Sequence, residues 1–391
     1  LKRAGSPVEV FLAFLLLGVS CFGGPVAHLG YFRKTFVERR AWLSETDYAA
    51  VVSLCQFLPG PASSQTGFCI GMLRAGWLGG IAAWIGFTAP SALLMFAAAQ
   101  WIGLHPLSPL VARLLHGLQL AAIAVVAQAV LAMARQLCPD TPRRMLAVLA
   151  AAILILVPDT PGQILILVIG AFIGRFLPLE EAAGRPLRIP PASHEVISLI
   201  CLAAFAMLLV VSVGAWQAGN LALFAAFYRT GALVFGGGHV VLPLLQNAVV
   251  APGYVSPSLF LAGYGAAQAL PGPLFTFAAF LGAVAKVGDA GAAGAAIATV
   301  AIFLPGLLLV AALLPYWNRV RQDRALTGCV NGVNAVVVGL LAYALLDLVT
   351  LGGIRSLSDI VIAAGAIAAL IFGRVPPILV VAACAALAIV L

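Results

Sequence analysis

Apolar residues in this chain fall into long unbroken runs rather than into an alternating or heptad pattern. The runs cover residues 8–22, 77–101, 110–133, 145–157, 164–177, 196–216, 221–235, 290–314, 325–349, 359–372 and 376–391. Many of them approach the ~20 apolar residues that carry a helix across a ~30 Å hydrocarbon layer. They are rich in Ala and Leu and do not alternate with polar residues, so they predict helices and not barrel strands. The predicted fold is an all-α polytopic membrane protein.

The interruptions of this pattern repeat. Gln56-Phe57-Leu58-Pro59-Gly60-Pro61 returns as Gln268-Ala269-Leu270-Pro271-Gly272-Pro273, an offset of 212 residues. Phe22-Gly23-Gly24-Pro25 returns as Phe235-Gly236-Gly237-Gly238, an offset of 213. Arg74 pairs with Lys286, Pro90 with Pro305, and Gly117-Leu118-Gln119 with Gly332-Val333-Asn334. The drift in offset fits a longer Gly/Ala loop at 288–294. Matches in one fixed order imply two homologous halves, 1–178 and 220–391. The segment 179–219 joins them through a polar, proline-bearing linker and one extra helix, 196–216, that has no counterpart in the first half.

Residues 45–57 and 62–74 flank the first Pro-Gly-Pro turn and have 13 residues each, about 20 Å as helix. Neither crosses alone. The expected element is a re-entrant helical hairpin with its tip at membrane depth, where irregular backbone is tolerated only inside protein or beside an aqueous cavity. Residues 258–269 and 273–286 form the second. Basic residues gather on one side of the first half (Arg33, Lys34, Arg39, Arg40, Arg74, Arg135, Arg143, Arg144) against Lys2, Arg3 and Arg113 on the other. In the second half Arg319, Arg321, Arg324 and Arg374 oppose Lys286 and Arg355. The charges favour inverted repeats, with cysteines beside Arg40 and Arg321 expected to label from opposite sides. One extra helix inverts the second half only if each half crosses an even number of times, whereas the windows count five.

Composition narrows the field. The chain is 63% hydrophobic and 9% charged, and a soluble domain so poor in charge would present an aggregation-prone surface. The net charge of +8 fits cytoplasmic loops of a membrane protein, with a share left to attract an anion. No nucleic-acid-binding module is recognisable. The seven cysteines are scattered through apolar runs without a Cys-x-x-Cys pair, so neither a disulfide framework nor a metal site is expected. No cleavable signal peptide and no cofactor are expected. The chain lacks a Walker A loop, a His-Glu-x-x-His motif, a Gly-x-Ser-x-Gly elbow and paired intramembrane aspartates, with Asp347 the clearest carboxylate inside an apolar run. An enzyme is therefore not expected.

The turn tips carry the candidate chemistry. Proline suits a first helical turn, so new helices start near Ala62 and Leu274 with unpaired backbone N–H groups at membrane depth. Such an end is an anion site in waiting. The first copy continues Ala62-Ser63-Ser64-Gln65-Thr66, four hydroxyl or amide side chains able to donate to oxyanion oxygens. The same side chains would equally cap the helix. The second copy offers only Thr276. Gly23, Gly24, Gly237 and Gly238 either break the first helix of each half or allow close packing. Gln56 and Gln268 brace the turns or touch ligand. His28 and His239 follow the glycine breaks and titrate near neutral pH. Arg74 and Lys286 close the hairpins, as site cations or as groups reaching the interface. The candidate binding set is thus Gly23, Gly24, Gln56, Pro59, Gly60, Pro61, Ala62, Ser63, Ser64, Gln65, Gly237, Gly238, Gln268, Pro271, Gly272, Pro273 and Thr276. His28, His239, Arg74 and Lys286 are candidates for charge or proton coupling.

Residues 22–32, then Arg39-Arg40-Ala41-Trp42-Leu43, then 56–65, then Arg74-Ala75-Gly76, resemble the chromate transporter family. The second copy resembles the C-terminal domain of its long, two-domain members, but lacks the Ser-Ser-Gln and Arg-Arg-Ala-Trp-Leu runs. The resemblance implies a secondary transporter in the bacterial inner membrane that exports chromate, a tetrahedral oxyanion like sulfate, and so confers chromate resistance. It also implies halves of opposite topology, driven by protons or membrane potential; a homodimer is compatible with it. Other readings are a sulfate or other oxyanion transporter, a membrane enzyme and an ungated channel.

Overall fold

The computed structural model describes residues 5–22, 24–104, 109–157, 160–177, 195–214, 219–235, 241–320, 322–350, 354, 356–373 and 375–390. Lys2, Arg3, the linker at 178–191, Arg321, Arg355 and Arg374 lie outside them. Among the described residues the secondary structure is helical throughout, without strands.

Helix α1 (Pro7–Ser20) starts on a Ser6 cap with proline in its first turn. It stops before the glycine pair, and α2 (Gly24–Phe32) continues into a π-helical stretch, Arg33–Arg39. Helix α3 (Glu45–Phe57), capped by Ser44, leads to the Pro-Gly-Pro turn. Helix α4 (Ala62–Leu104) bends sharply at Ala75 and Gly76, where Gly76 has φ 65°. That bend separates a short post-turn segment from a long helix. Next come α5 (Pro109–Leu137), α6 (Thr141–Leu156), α7 (Thr160–Gly174) and the extra helix α8 (Glu195–Val213).

The second half repeats this order as α9 (Gly219–Leu233), α10 (Val241–Leu245) with π-helical Gln246–Val250, α11 (Pro257–Ala269), and a 3₁₀ turn (Leu274–Thr276) followed by α12 (Phe277–Val284). It continues with α13 (Ala292–Leu313), α14 (Trp317–Val320), α15 (Arg324–Leu348), α16 (Leu357–Ile371) and α17 (Pro377–Val390). Even the π-helical stretch recurs. Five helices among the described residues are long and apolar enough to cross a membrane: Ala62–Ile102, His116–Leu137, Glu195–Val213, Ala292–Val320 and Arg324–Leu348.

The first apolar run, 8–22, does not continue in one direction. Glu9 at the start of α1 lies 3.9 Å from Arg40, which follows the π-helical stretch. Hence α1 and α2 form a helical hairpin beside the hairpin of α3 and α4. Both hairpins end at the same level. Arg74 donates to Glu9 (3.1 Å), the Gly5 N–H donates to the Arg74 carbonyl (3.0 Å), and Trp42 lies under the guanidinium groups of both Arg40 and Arg74.

The two halves are interlocked. Helix α1 packs along α4 and α9 along α13, but α6 and α7 pack on α15 of the other half, and α16 and α17 pack on α5. The matched Gly117 and Gly332 are the close-packing points of these crossed contacts. A Cβ on Gly117 would lie 2.6 Å from the Cys384 carbonyl oxygen, and one on Gly332 would lie 2.6 Å from the Cα of Gly174. Helix α8 is held to α9 by Tyr228, whose hydroxyl donates to Phe205, and by Arg229, which donates to the Ser212 carbonyl. Its apolar side chains, such as Val210 at 74% exposure, otherwise face outward.

From its bend, α4 runs roughly 35 Å to Gln100. There Gln100 Nε2 is 3.7 Å from where a Cβ on Gly291 would stand, level with the Asn220–Asp289 contact that closes the second half's hairpins. The outer ends of the two sets of hairpins therefore lie at opposite ends of α4. Helix α13 runs back from Gly291, and Trp317 beyond it packs on Phe57 (5.5 Å).

Candidate functional site

Both Pro-Gly-Pro tips are buried midway along α4 and α13. Each is held by the opposite half. The Gly60 N–H donates to the Val234 carbonyl (2.6 Å), just ahead of the second glycine break. The Gly272 N–H donates to the Cys21 carbonyl (2.9 Å), just ahead of the first. Donors and acceptors are related by the same offsets as the sequence repeat. Each chain break thus leaves a carbonyl without an intrahelical partner, and the other half's tip supplies the donor.

A second pair of contacts follows the same exchange. Gln65 Nε2 donates to its own tip at the Pro59 carbonyl (2.8 Å) and across to the Gly306 carbonyl (3.1 Å). On the other side, Thr276 Oγ1 donates to the Pro273 carbonyl (2.8 Å) and therefore accepts from Ser91 Oγ (2.7 Å). Ser91 and Gly306 occupy matched positions, each directly after the proline inside its long helix, Pro90 or Pro305.

The tips differ in what they leave unspent. Ser63, Ser64, Gln65 and Thr66 are all buried behind the first tip. The first amide of α4 to find a helical partner is Gln65 N–H on the Pro61 carbonyl (2.9 Å), so the amides of Ala62, Ser63 and Ser64 stand ahead of the ladder. Ser64 Oγ and Gln65 Oε1 have no hydrogen-bond partner. His28, 1% exposed, brings Nδ1 within 3.4 Å of Ser63 Oγ, and its Nε2 has no partner. The ring sits edge-on against Phe87 (5.3 Å). The second tip is closed instead. Leu274 and Phe275 are buried, Phe275 packs on Phe303 (5.8 Å), and the one hydroxyl, Thr276, is consumed.

The predicted site residues therefore divide. Pro59, Gly60, Pro61, Ala62, Ser63, Ser64 and Gln65 form the first tip and the turn behind it, where Ser63 meets the buried His28. Pro271, Gly272, Pro273 and Thr276 reach the same level from the other half. Gly24 opens α2. Gln56 is exposed, and the brace of the first turn is Gln65. Gln268 is half-buried and leaves Nε2 unpartnered. Arg74 and Lys286 do not join the tips. Arg74 clasps Glu9 at the outer end of its hairpin, and the Lys286 side chain is exposed at the other end of the fold. Asp347 accepts from Gln246 in the second half, away from the tips. Gly23, Gly236, Gly237, Gly238 and His239 lie outside the described residues. Sequence reading missed the sockets, namely Cys21, Ser91, Val234 and Gly306. The signal for two of them was present, since Ser91 and Gly306 follow the matched prolines.

The family model for the chromate transporter matches residues 8–175 and 221–389. This chain belongs to the chromate transporter family. Its two matched segments coincide with the two helical series, leaving α8 between them. Among similar members of the family, a chromate transport protein of Pseudomonas aeruginosa is 30% identical over 346 residues, 87% of this chain and 80% of that protein. A probable chromate transport protein of Synechococcus elongatus is 29% identical, covering 89% of this chain and 84% of its own length. A chromate transport protein of Cupriavidus metallidurans is 25% identical, covering 90% and 84%. No solved structure matches this chain. Family and apolar helices together make it a multi-pass membrane protein of a transporter family.

Proposed function

We propose that this chain is a secondary active transporter that exports chromate across the bacterial inner membrane and thereby confers chromate resistance. The observation that carries the reading is the start of α4. Three backbone amides ahead of the helical ladder stand with the buried Ser63 and Ser64 hydroxyls beside His28. A helix N-terminus carries roughly half a positive charge, and half-helix ends facing a membrane midplane are suited to anionic substrate groups. A tetrahedral dianion has the acceptors to use every donor. His28 is a titratable group in contact with this cluster and its candidate for proton coupling. Sulfate presents the same geometry and is the alternative cargo.

Purified protein in proteoliposomes tests this. Saturable chromate flux, driven uphill by an imposed pH gradient or membrane potential, is expected. Flux no greater than in protein-free vesicles would sink the proposal. Sulfate outcompeting chromate at equal concentration would transfer the site to sulfate.

The topology belongs to the same proposal. Both hairpins of each half are re-entrant, with 1–178 and 220–391 as inverted repeats and 179–219 as the connection. Each half then crosses with two long helices and a shorter pair, an even number however the short pair is counted. This removes the conflict raised by counting 8–22 as a span. The inversion also revises the labelling expectation. Helix α13 returns toward the Arg40 end, so Arg319, two residues before Arg321, shares the side of Arg40. The pair on opposite sides is Arg40 and Lys286. Cysteines at these two positions should react with a membrane-impermeant maleimide from opposite faces of oriented vesicles; reaction of both from one face would end the inverted-repeat reading.

A further inference from the structure

Gln65 falls in the run of donors that follows the first tip, yet its donor is already committed. Nε2 serves two carbonyls, Pro59 of its own turn and Gly306 of the opposite half. Both partners are acceptors only, so the amide has one chemically sensible orientation, with Oε1 pointing away from them. The side chain is 0% exposed, and Oε1 has no partner. An oxyanion gains nothing from an acceptor and finds no free N–H here. Gly306 itself has no room for a larger residue, since a Cβ there would lie 3.0 Å from Gln65 Nε2 and 3.3 Å from Pro61 Cδ. The socket is fitted to this amide.

We infer that Gln65 is the positioning residue of the anion site: it seats the first tip on the second half and thereby holds the Ser63 and Ser64 donors in place, without touching the substrate. The Ser91–Thr276 contact is the same joint with the halves exchanged. It seats a tip that carries no spare donors, so it serves the fold rather than the anion. This inference rests on the proposed anion site, and the experiment separates the two.

Chromate transport kinetics are measured in proteoliposomes for wild type, Gln65→Leu, the isosteric Gln65→Glu, Ser63→Ala/Ser64→Ala, the triple variant, and Ser91→Ala/Thr276→Val. Gln65→Leu should raise KM at least about tenfold, and Gln65→Glu, which keeps at most one of the two bonds, at least about threefold. In the triple variant, adding Gln65→Leu to the double-alanine background should raise KM no further, because Gln65 acts through those serines. Ser91→Ala/Thr276→Val should lower the detergent melting temperature, because it removes the buried bond that seats the other tip. A Gln65 variant with wild-type KM overturns the inference, as does full additivity with the serine changes. If Gln65→Leu does not fold, Gln65→Glu decides the matter alone. Absence of saturable flux in the wild type would instead overturn the proposed function.

Discussion

Gly60→Leu is expected to reduce chromate flux about a hundredfold or more, the equivalent of roughly 3 kcal/mol at the site. Three effects add at this residue. Its φ is +121°, a region that costs a non-glycine residue about 1–3 kcal/mol. A Cβ would stand 3.0 Å from the Cα of Gly306 and 3.0 Å from Gln65 Nε2, tighter than side chains normally pack. Any shift that relieves these contacts withdraws the amide from the Val234 carbonyl and leaves a buried acceptor unpaired, at about 1–3 kcal/mol. The outer parts of the hairpin keep their own contacts, among them the Arg74–Glu9 pair and the Ser44 cap. The variant should therefore still insert and elute as a single species in detergent. Chromate flux and size-exclusion profile measured together check this. A monodisperse Gly60→Leu protein with undiminished flux would remove the tip from the transport site.

Ser63→Ala/Ser64→Ala comes next in size. A hydrogen bond to a charged group contributes about 1.5–3 kcal/mol, and two hydroxyls are removed. The amides of Ala62, Ser63 and Ser64 remain, so binding should weaken by about a hundredfold rather than vanish. The change leaves little unsatisfied, since Ser64 Oγ has no partner to lose and Ser63 Oγ only the 3.4 Å contact with His28. Stability should move by less than about 1 kcal/mol, because these hydroxyls contribute no strong internal bond. Chromate resistance of cells carrying the double variant, alongside KM in proteoliposomes, is the measurement. Unchanged resistance and KM would show that these serines cap the helix and do nothing more.

The sequence made a good part of this legible because the elements are specified locally. A Pro-Gly-Pro turn or a glycine pair interrupts a helix locally, so the breaks at Gly24, Gly60 and Gly272 are visible without a fold, whereas the lone prolines Pro90 and Pro305 lie inside helices. The duplication is equally plain, and the contrast between Ser63-Ser64-Gln65-Thr66 and Leu274-Phe275-Thr276 already separates a polar tip from a closed one. Misplacements arose where the answer depended on direction or partner. Residues 8–22 look like a span because hydropathy does not record that Arg40, beyond α2, returns to within 3.9 Å of Glu9. Gln56 looks like the brace because it adjoins the turn, but its position on α3 turns it outward. Gln65, on the first turn of α4, points back at the Pro59 carbonyl. Arg74 and Lys286 match in sequence because both end a hairpin, and that same position keeps them a dozen residues from the tip.

By itself the sequence determined an all-helical membrane protein of two related halves, each broken twice by glycine or proline, with oxyanion donors after one break and not the other. Helix stops, apolar length and donor content are properties of short segments, which is why they survive without coordinates. Only the tertiary structure decided that each tip is seated in the opposite half, Gly60 on Val234 and Gly272 on Cys21. A carbonyl freed by a helix break accepts any donor that reaches it, so nothing in its own segment names the partner. That choice is made by the packing of the two halves, which buries both ends of the bond and leaves the carbonyl no water to turn to.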